Sequence, residues 1–186
     1  MNGRFFTGVL LAALAAFAWG ALFWLNPLPM TLMKQTADDE AIQELLREHF
    51  AESGIYFIPG PGNDAETLER LATRGPVASV FIQLEGQTPM QFRPFMAGLA
   101  HSVVSTFLLG LLMLMARRAL PSYGNRVSFA ALAGMAGAFF AFLINPVWFS
   151  QPWGWHLLLA LYMVTGWIVA GLVLAAFIRP RAAGRR

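Results

Sequence analysis

Cysteine is missing from all 186 residues of this chain. That removes disulfide staples, thiolate metal sites and the dithiol redox chemistry that several small four-helix membrane enzymes couple to quinones. Charge is scarce as well. Charged residues make up 12% of the chain, half of the roughly 25% usual in soluble domains, which argues against a soluble protein. Charge is absent altogether from four long apolar runs, so none of them holds the Asp, Glu, Lys or Arg that an ion path commonly places at membrane depth.

Apolar residues fill that space: 57% of the chain, with a mean hydropathy of +0.55. The four runs, Phe5 to Leu25, about Ala97 to Ala116, Val127 to about Ile144 and Leu157 to Ile178, are each long enough to cross about 30 Å of hydrocarbon. The first has Arg4 before it and an Ala16-Phe17-Ala18 triplet that mimics a signal-peptide cleavage site. The run continues through Trp24 and Leu25, too long for a signal sequence, so a retained helix is expected. The expected fold is an all-α, four-helix membrane bundle with a small α/β insertion between the first two helices. Its segments are 1–25, 26–96 (outer α/β segment), 97–116, 127–147, 157–178 and a basic tail, 179–186.

Basic residues set the orientation. With the N-terminus inside, the inner segments hold eight arginines (Arg4, Arg117, Arg118, Arg126, Arg179, Arg181, Arg185, Arg186), and the outer ones hold five basic and all ten acidic residues. The inner charge is therefore +8 and the outer −5, which accounts for the net +3. The sequence pI near 10 follows from this topology and makes no case for nucleic acid. Both ends are expected in the cytoplasm of a bacterium, with residues 26–96 on the periplasmic side of the inner membrane. Trp24, Trp148, Trp153 and Trp155 then fall at the outer boundary, as an aromatic belt does.

Within the outer segment, Thr36-Ala-Asp-Asp reads as a capping box. Ile42, Leu45, Leu46, His49 and Phe50 follow at the spacing of an amphipathic helix ended by Ser53-Gly54. Ile55 to Ile58 reads as a strand, Asn63 as the cap of a second helix broken by Gly75-Pro76, and Val77 to Leu84 as a second strand. Gly60-Pro-Gly62 ahead of a helix invites comparison with a phosphate loop. Pro61 removes a needed amide, no lysine is near, and Asp64, Glu66 and Glu69 repel anions, so no nucleotide is expected. Tyr56 and Phe57 remain as candidate partner-binding residues on a stiff rim. Tyr56-x-x-Pro59-x-Pro61, Gly75-Pro76 and Pro89-Met90-x-Phe92 resemble a group of small four-span bacterial inner-membrane proteins. The resemblance covers about a third of the chain. It implies the four-span layout and brings no activity or catalytic residue with it.

Candidate chemistry is sparse. His101 and His156, each near the start of a span, could face each other and ligate a haem iron or another metal, although no carboxylate stands by as a further ligand. His49 reads as a packing residue. Ser102, Ser105 and Thr106 lack any activating base and read as hydrogen-bonding groups within helices. An opening for a lipid or quinone beneath Trp148, Trp153 and Trp155 is a further option. Small residues four apart, as in Ala130-x-x-x-Gly134, Gly137-x-x-x-Ala141, Ala12-x-x-x-Ala16-x-x-x-Gly20 and Gly166-x-x-x-Ala170, permit close helix packing. They are densest in the third span, which is expected at the centre of the bundle or against a partner. Leu25-Asn-Pro-Leu28 and Ile144-Asn-Pro-Val147, each followed by a glutamine (Gln91 or Gln151) and a histidine, raise an internal duplication. The functional expectation is a non-catalytic accessory, assembly or scaffolding protein in the lipid bilayer, with a membrane-protein partner or a second copy. The alternative is electron transfer through a cofactor at His101 and His156.

Overall fold

The computed structural model describes residues 2–88 and 92–178. Pro89-Met90 of the proline motif, Gln91 and the basic tail 179–186 lie outside the described residues. The elements in chain order are α1 (Gly3–Leu25), α2 (Leu28–Leu32), α3 (Asp39–His49), β1 (Gly54–Ile58), α4 (Ala65–Arg74), β2 (Ala78–Ile82), α5 (Phe92–Ala116), α6 (Tyr123–Phe142), α7 (Ile144–Phe149) and α8 (Trp153–Phe177). Among the described residues, α1, α5, α6 continued by α7, and α8 are long and apolar enough to cross a membrane. The chain divides into two compact units, Met1–Lys34 with Gln91–Arg186, and Gln35–Met90.

The long helices start earlier than hydropathy alone suggests. α5 opens at Phe92, five residues before the expected Ala97, because Pro94 falls in its first turn, where a missing N–H costs nothing. α6 opens at Tyr123 through a capping box: Ser122 Oγ accepts from the Asn125 amide at 3.0 Å, and Asn125 Oδ1 accepts from the Ser122 amide at 3.2 Å. The two Asn-Pro sites behave differently. Asn26 ends α1, its side chain donating to Phe23 O and accepting from the Leu28 amide. Asn145-Pro146 does not end the third span but breaks it at Leu143 and continues as α7. Proline cannot donate to the carbonyl four residues back. Asn145 Nδ2 takes up that role, donating to Phe142 O and Ala141 O.

The four long helices pack in the row α5–α1–α8–α6, while α5 and α6 touch only sparsely despite being consecutive. The third span is therefore at an edge of the row and not at its centre, the first of the two places expected for it. Its small residues face α8: a Cβ on Gly134 would lie 2.8 Å from Trp167 and one on Gly137 2.7 Å from Met163, and one on Gly171 of α8 would lie 2.4 Å from Ala130. α1 meets α8 through Gly8 under Phe177 and Gly20 under Tyr162, and Trp19 Nε1 donates to Thr165 Oγ1 at 3.0 Å. The buried core (Phe5, Val9, Leu109, Met113, Ala130, Leu174) gathers at the end holding the α1 N-terminus, the α5–α6 turn and the α8 C-terminus.

That end is tied by cations. α8 leaves its last carbonyls without intrahelical donors. Of these, Ala175 O accepts from Arg126 Nε (3.1 Å) and Ala176 O from Arg4 Nη2 (2.9 Å), while Tyr123 Oη donates to Leu172 O further inside the helix (2.9 Å). Arg126 is 7% exposed and its Nη1 also reaches Leu120 O and Pro121 O at 3.1 and 3.2 Å. The negative end of the α8 dipole suits a cation there.

In the second unit the expected order of helix, strand, helix, strand holds, with two shifted caps. Asp38 and not Thr36 caps α3, accepting from the Ala41 amide at 3.0 Å, while Thr36 Oγ1 donates to Asp39. Asp64 and not Asn63 caps α4, accepting from the Thr67 amide at 2.9 Å. Asn63 instead bonds back to Gly60 O at 2.7 Å. β1 and β2 pair antiparallel, Ile55 opposite Phe81 and Tyr56 opposite Val80. Neither α3 nor α4 has a buried residue.

Candidate functional site

The sparse α5–α6 contact leaves a cleft of about 310 Å³ between α5 on one side and α6 and α8 on the other, with Ala16 of α1 at its back. Its apolar wall includes Leu109, Phe142, Met163 and Trp167, and its polar groups are His101, Ser102, Ser105, Thr106 and Tyr162. Residues 101, 102, 105, 106 and 109 recur at helical spacing, so one face of α5 lines the cleft.

Two of these hydroxyls are spoken for. Ser102 Oγ donates to Gly98 O at 3.0 Å, and buried Thr106 Oγ1 donates to Ser102 O at 2.8 Å with Val9 O of α1 also in reach at 3.3 Å. Such bonds to the preceding turn keep a hydroxyl satisfied in hydrocarbon. The ring nitrogens of His101, Ser105 Oγ and Tyr162 Oη have no hydrogen-bond partner among the described residues. The lining holds no acidic residue, lysine or arginine.

His156 lies elsewhere. α1 provides a ruler. α5 meets it at Phe95 on Phe17 (4.8 Å between ring centroids) and Thr106 on Val9, which sets His101 level with about residue 13 of α1. α8 meets it at Trp155 on Trp24 (6.0 Å) and Tyr162 on Phe23 (5.1 Å), which sets His156 level with Trp24 or beyond. Eleven residues at 1.5 Å each separate these levels by roughly 16 Å, whereas two nitrogens on one metal, each bonded at about 2 Å, lie within about 4 Å of each other. The expected two-histidine haem or metal site is thus not formed: α5 begins five residues early, which carries His101 toward mid-helix, while His156 sits in the first turn of α8. His156, 6% exposed, donates from Nε2 to Gln151 Oε1 at 2.7 Å, and its buried Nδ1 has no partner. No group of three or more His, Cys, Asp or Glu side chains placed to hold a metal occurs among the described residues.

The second unit presents a different surface. Side chains alternate along a strand, so Ile55, Phe57, Ser79 and Phe81 share one face of the β1–β2 sheet. Ile55 and Phe81, directly opposite each other, are 60% and 73% exposed. Phe57 belongs to this face by the strand register. Tyr56 is on the other face: its ring packs edge-on against Phe50 at 4.5 Å and its hydroxyl donates to Glu52 O at 3.0 Å. It braces the unit on the face opposite Ile55 and Phe81. Ile55 and Phe81 were missed as rim residues. Their signal was the strand alternation in Gly54–Ile58 and Ala78–Ile82 once the register is known. Ten acidic and three basic residues between 35 and 90 give the unit a formal charge of −7.

No protein-family model, curated protein or solved structure matches this chain. Its function therefore rests on the geometry of the two surfaces just described.

Proposed function

We propose that the chain is a multi-pass protein of a bacterial inner membrane, both ends cytoplasmic, which acts as a non-catalytic accessory or scaffolding component. Residues 35–90 form its docking module on the periplasmic side. The carrying observation is the exposed apolar pair Ile55 and Phe81 on a unit of charge −7. An exposed apolar pair on a unit of strongly negative net charge fits a partner of opposite charge, since complementary potential steers association and rejects like-charged competitors. The occupant is a basic protein with a small apolar contact. The alternation of basic and acidic segments supports the orientation, and the Arg4 and Arg126 bonds to the α8 terminus gather basic residues at one end of the helical unit.

The cysteine-free chain makes the tests clean. Single-cysteine variants Asn63→Cys and Arg118→Cys are labelled in intact cells with a membrane-impermeant maleimide. Labelling of the first alone supports the orientation, and labelling of the second alone overturns it. Photo-crosslinker attached to Phe81→Cys should then capture one basic protein, in a yield that falls with added salt and is abolished by Ile55→Ser. Crosslinks confined to lipid, to a second copy of this chain or to an acidic protein would refute the docking reading.

A further inference from the structure

The cleft along α5 is chemically unusual for a groove between apolar helices. Three hydrogen-bonding groups, His101, Ser105 and Tyr162, open into it with no partner among the described residues. An unpaired polar group in hydrocarbon is costly, and small hydroxyls normally return their proton to the preceding turn, as Ser102 and Thr106 do here. Ser105 is the fourteenth residue of the 25-residue α5 and His101 the tenth. At about 1.5 Å per residue they lie within roughly 5 Å of mid-helix. A phospholipid carries its head at the membrane surface, about 15 Å from the midplane, so its polar atoms do not reach these donors. A neutral head that travels within the hydrocarbon does.

The lining selects further. With no lysine, arginine or carboxylate present, a phosphorylated or carboxylate head would be buried uncompensated. Donors come from two helices, His101 and Ser105 on α5 and Tyr162 on α8, whose hydroxyl lies over Gly20 on the α1 side of the cleft, which suits a ring bearing more than one oxygen. Trp167, Phe142, Met163 and Leu109 supply flat and flexible apolar contact. The sparse α5–α6 seam gives a lateral way in from lipid and room for a chain. A volume of about 310 Å³ is at the lower end of the range for small-ligand sites, enough for a ring and the start of a tail.

We propose that this cleft binds a neutral, ring-headed prenyl lipid of the isoprenoid quinone or quinol class, its ring oxygens meeting His101 and Ser105 on α5 and the Tyr162 hydroxyl beside α1. The role is binding; no electron-transfer step is assigned to the chain.

The test uses the full chain in dodecyl maltoside micelles, titrated with a short-chain ubiquinone, with tryptophan fluorescence as readout because quinone at this site stacks beside Trp167. Quenching should saturate near one quinone per chain, and Trp167→Phe should remove most of the saturable part. His101→Phe and Ser105→Ala should each weaken binding about three- to tenfold, as loss of one hydrogen bond does. Tyr162→Phe reports on the α8 donor by the same assay if an α5 variant fails to elute as folded protein. Quenching that rises without saturation shows simple partitioning and overturns the proposal. So does equal competition by diacylglycerol or phosphatidylglycerol, which would mark a generic acyl groove, and so does affinity unchanged by the polar substitutions.

Discussion

Arg126 is a buried cation with no acidic partner within reach among the described residues, and replacing it by methionine tests how the helical unit is held shut. Its guanidinium makes three bonds to carbonyls: Ala175 O on α8, and Leu120 O and Pro121 O in the turn before α6. Methionine fills similar volume and leaves those oxygens without donors. Each hydrogen bond is worth about 1 kcal/mol net, and a buried acceptor left unpaired costs about 1–3 kcal/mol. The bond to Pro121 O is only partly buried, whereas those to Ala175 O and Leu120 O are buried, so one of the three carbonyls recovers part of its loss from water. Arg126→Met should therefore destabilise by about 2–4 kcal/mol. Arg126→Lys keeps the charge at the α8 dipole but cannot place donors at both the Nε and Nη1 positions, so it should lose about half as much. Arg4→Met removes one exposed bond and a 6.0 Å contact of the guanidinium with the Phe177 ring and should cost about 1 kcal/mol. Reversible unfolding in mixed dodecyl maltoside and SDS micelles, followed by tryptophan fluorescence, ranks the three. If Arg126→Met unfolds within about 0.5 kcal/mol of the native chain, or if Arg4→Met costs more than it does, the clasp as described is wrong.

Further consequences follow from the packing and the caps. Gly171→Ala places a Cβ 2.4 Å from that of Ala130, backbone-borne on both sides, and should cost about 1–3 kcal/mol in the same unfolding assay; Gly166→Ala, with Trp19 at 3.7 Å, should be tolerated. Gly75 ends α4 at φ 64°, ψ 177°, a region reserved for glycine, so Gly75→Ala should destabilise the second unit by about 1–3 kcal/mol although nothing lies within 4 Å of the new methyl. The Thr67 amide and hydroxyl hold the Asp64 carboxyl below its ordinary pKa. Its folded-state value being depressed, the cap is fully present above the unfolded-state pKa and is lost as pH falls through the ordinary carboxylate range and below. Circular dichroism of the chain should show helix loss on acidification, and Asp64→Ala should show that loss already at neutral pH.

The four long helices were legible because twenty residues without charge have few other readings. Their ends were less so. Pro94 and Pro146 both look like boundaries, yet the first falls where a helix tolerates proline and the second is covered by Asn145. The caps of α3 and α4 were each displaced by one or two residues, because Thr36 and Asp38, or Asn63 and Asp64, are all good cap formers and only geometry chooses among them. Which helix lies beside which was not legible. Inside a membrane the lipid-facing and buried surfaces are equally apolar, so no amphipathic stripe points to a neighbour, and the small-residue count that favoured α6 as the centre identified an interface without saying how many. The same gap left the lining of the cleft unnamed, the expected opening being beneath Trp148, Trp153 and Trp155, none of which lines it, and misplaced the histidine pair. Arg126 was read for its charge alone; its place four residues after Ser122 puts it one turn inside a helix, where a guanidinium needs partners.

The cleft itself is a consequence of unequal packing between two similar hairpins. α1 with α5, and α6 with α8, are antiparallel pairs, each with an Asn-Pro step and a short helix, α2 or α7, after its first member. A two-fold axis along the membrane normal would carry α1 onto α6 and α5 onto α8. The α1–α8 interface would then have to match the α6–α5 interface. It does not. The first is closed by Gly8 and Gly20, by the Trp19–Thr165 bond and by the Arg4 clasp. The second is barely made. In a symmetric bundle the α5 face bearing His101 and Ser105 would be sealed against α6, and two unpaired polar side chains there would be a plain defect. Where that interface stays open, the same residues face a space that lipid-soluble molecules can enter. Closing it should therefore abolish binding while raising stability: Ser105→Leu, which fills the cleft with apolar volume and removes an unpaired hydroxyl, should lose saturable quinone quenching and unfold at higher SDS than the native chain. A variant that gained stability yet still bound quinone would separate the cleft from the binding and disprove the link.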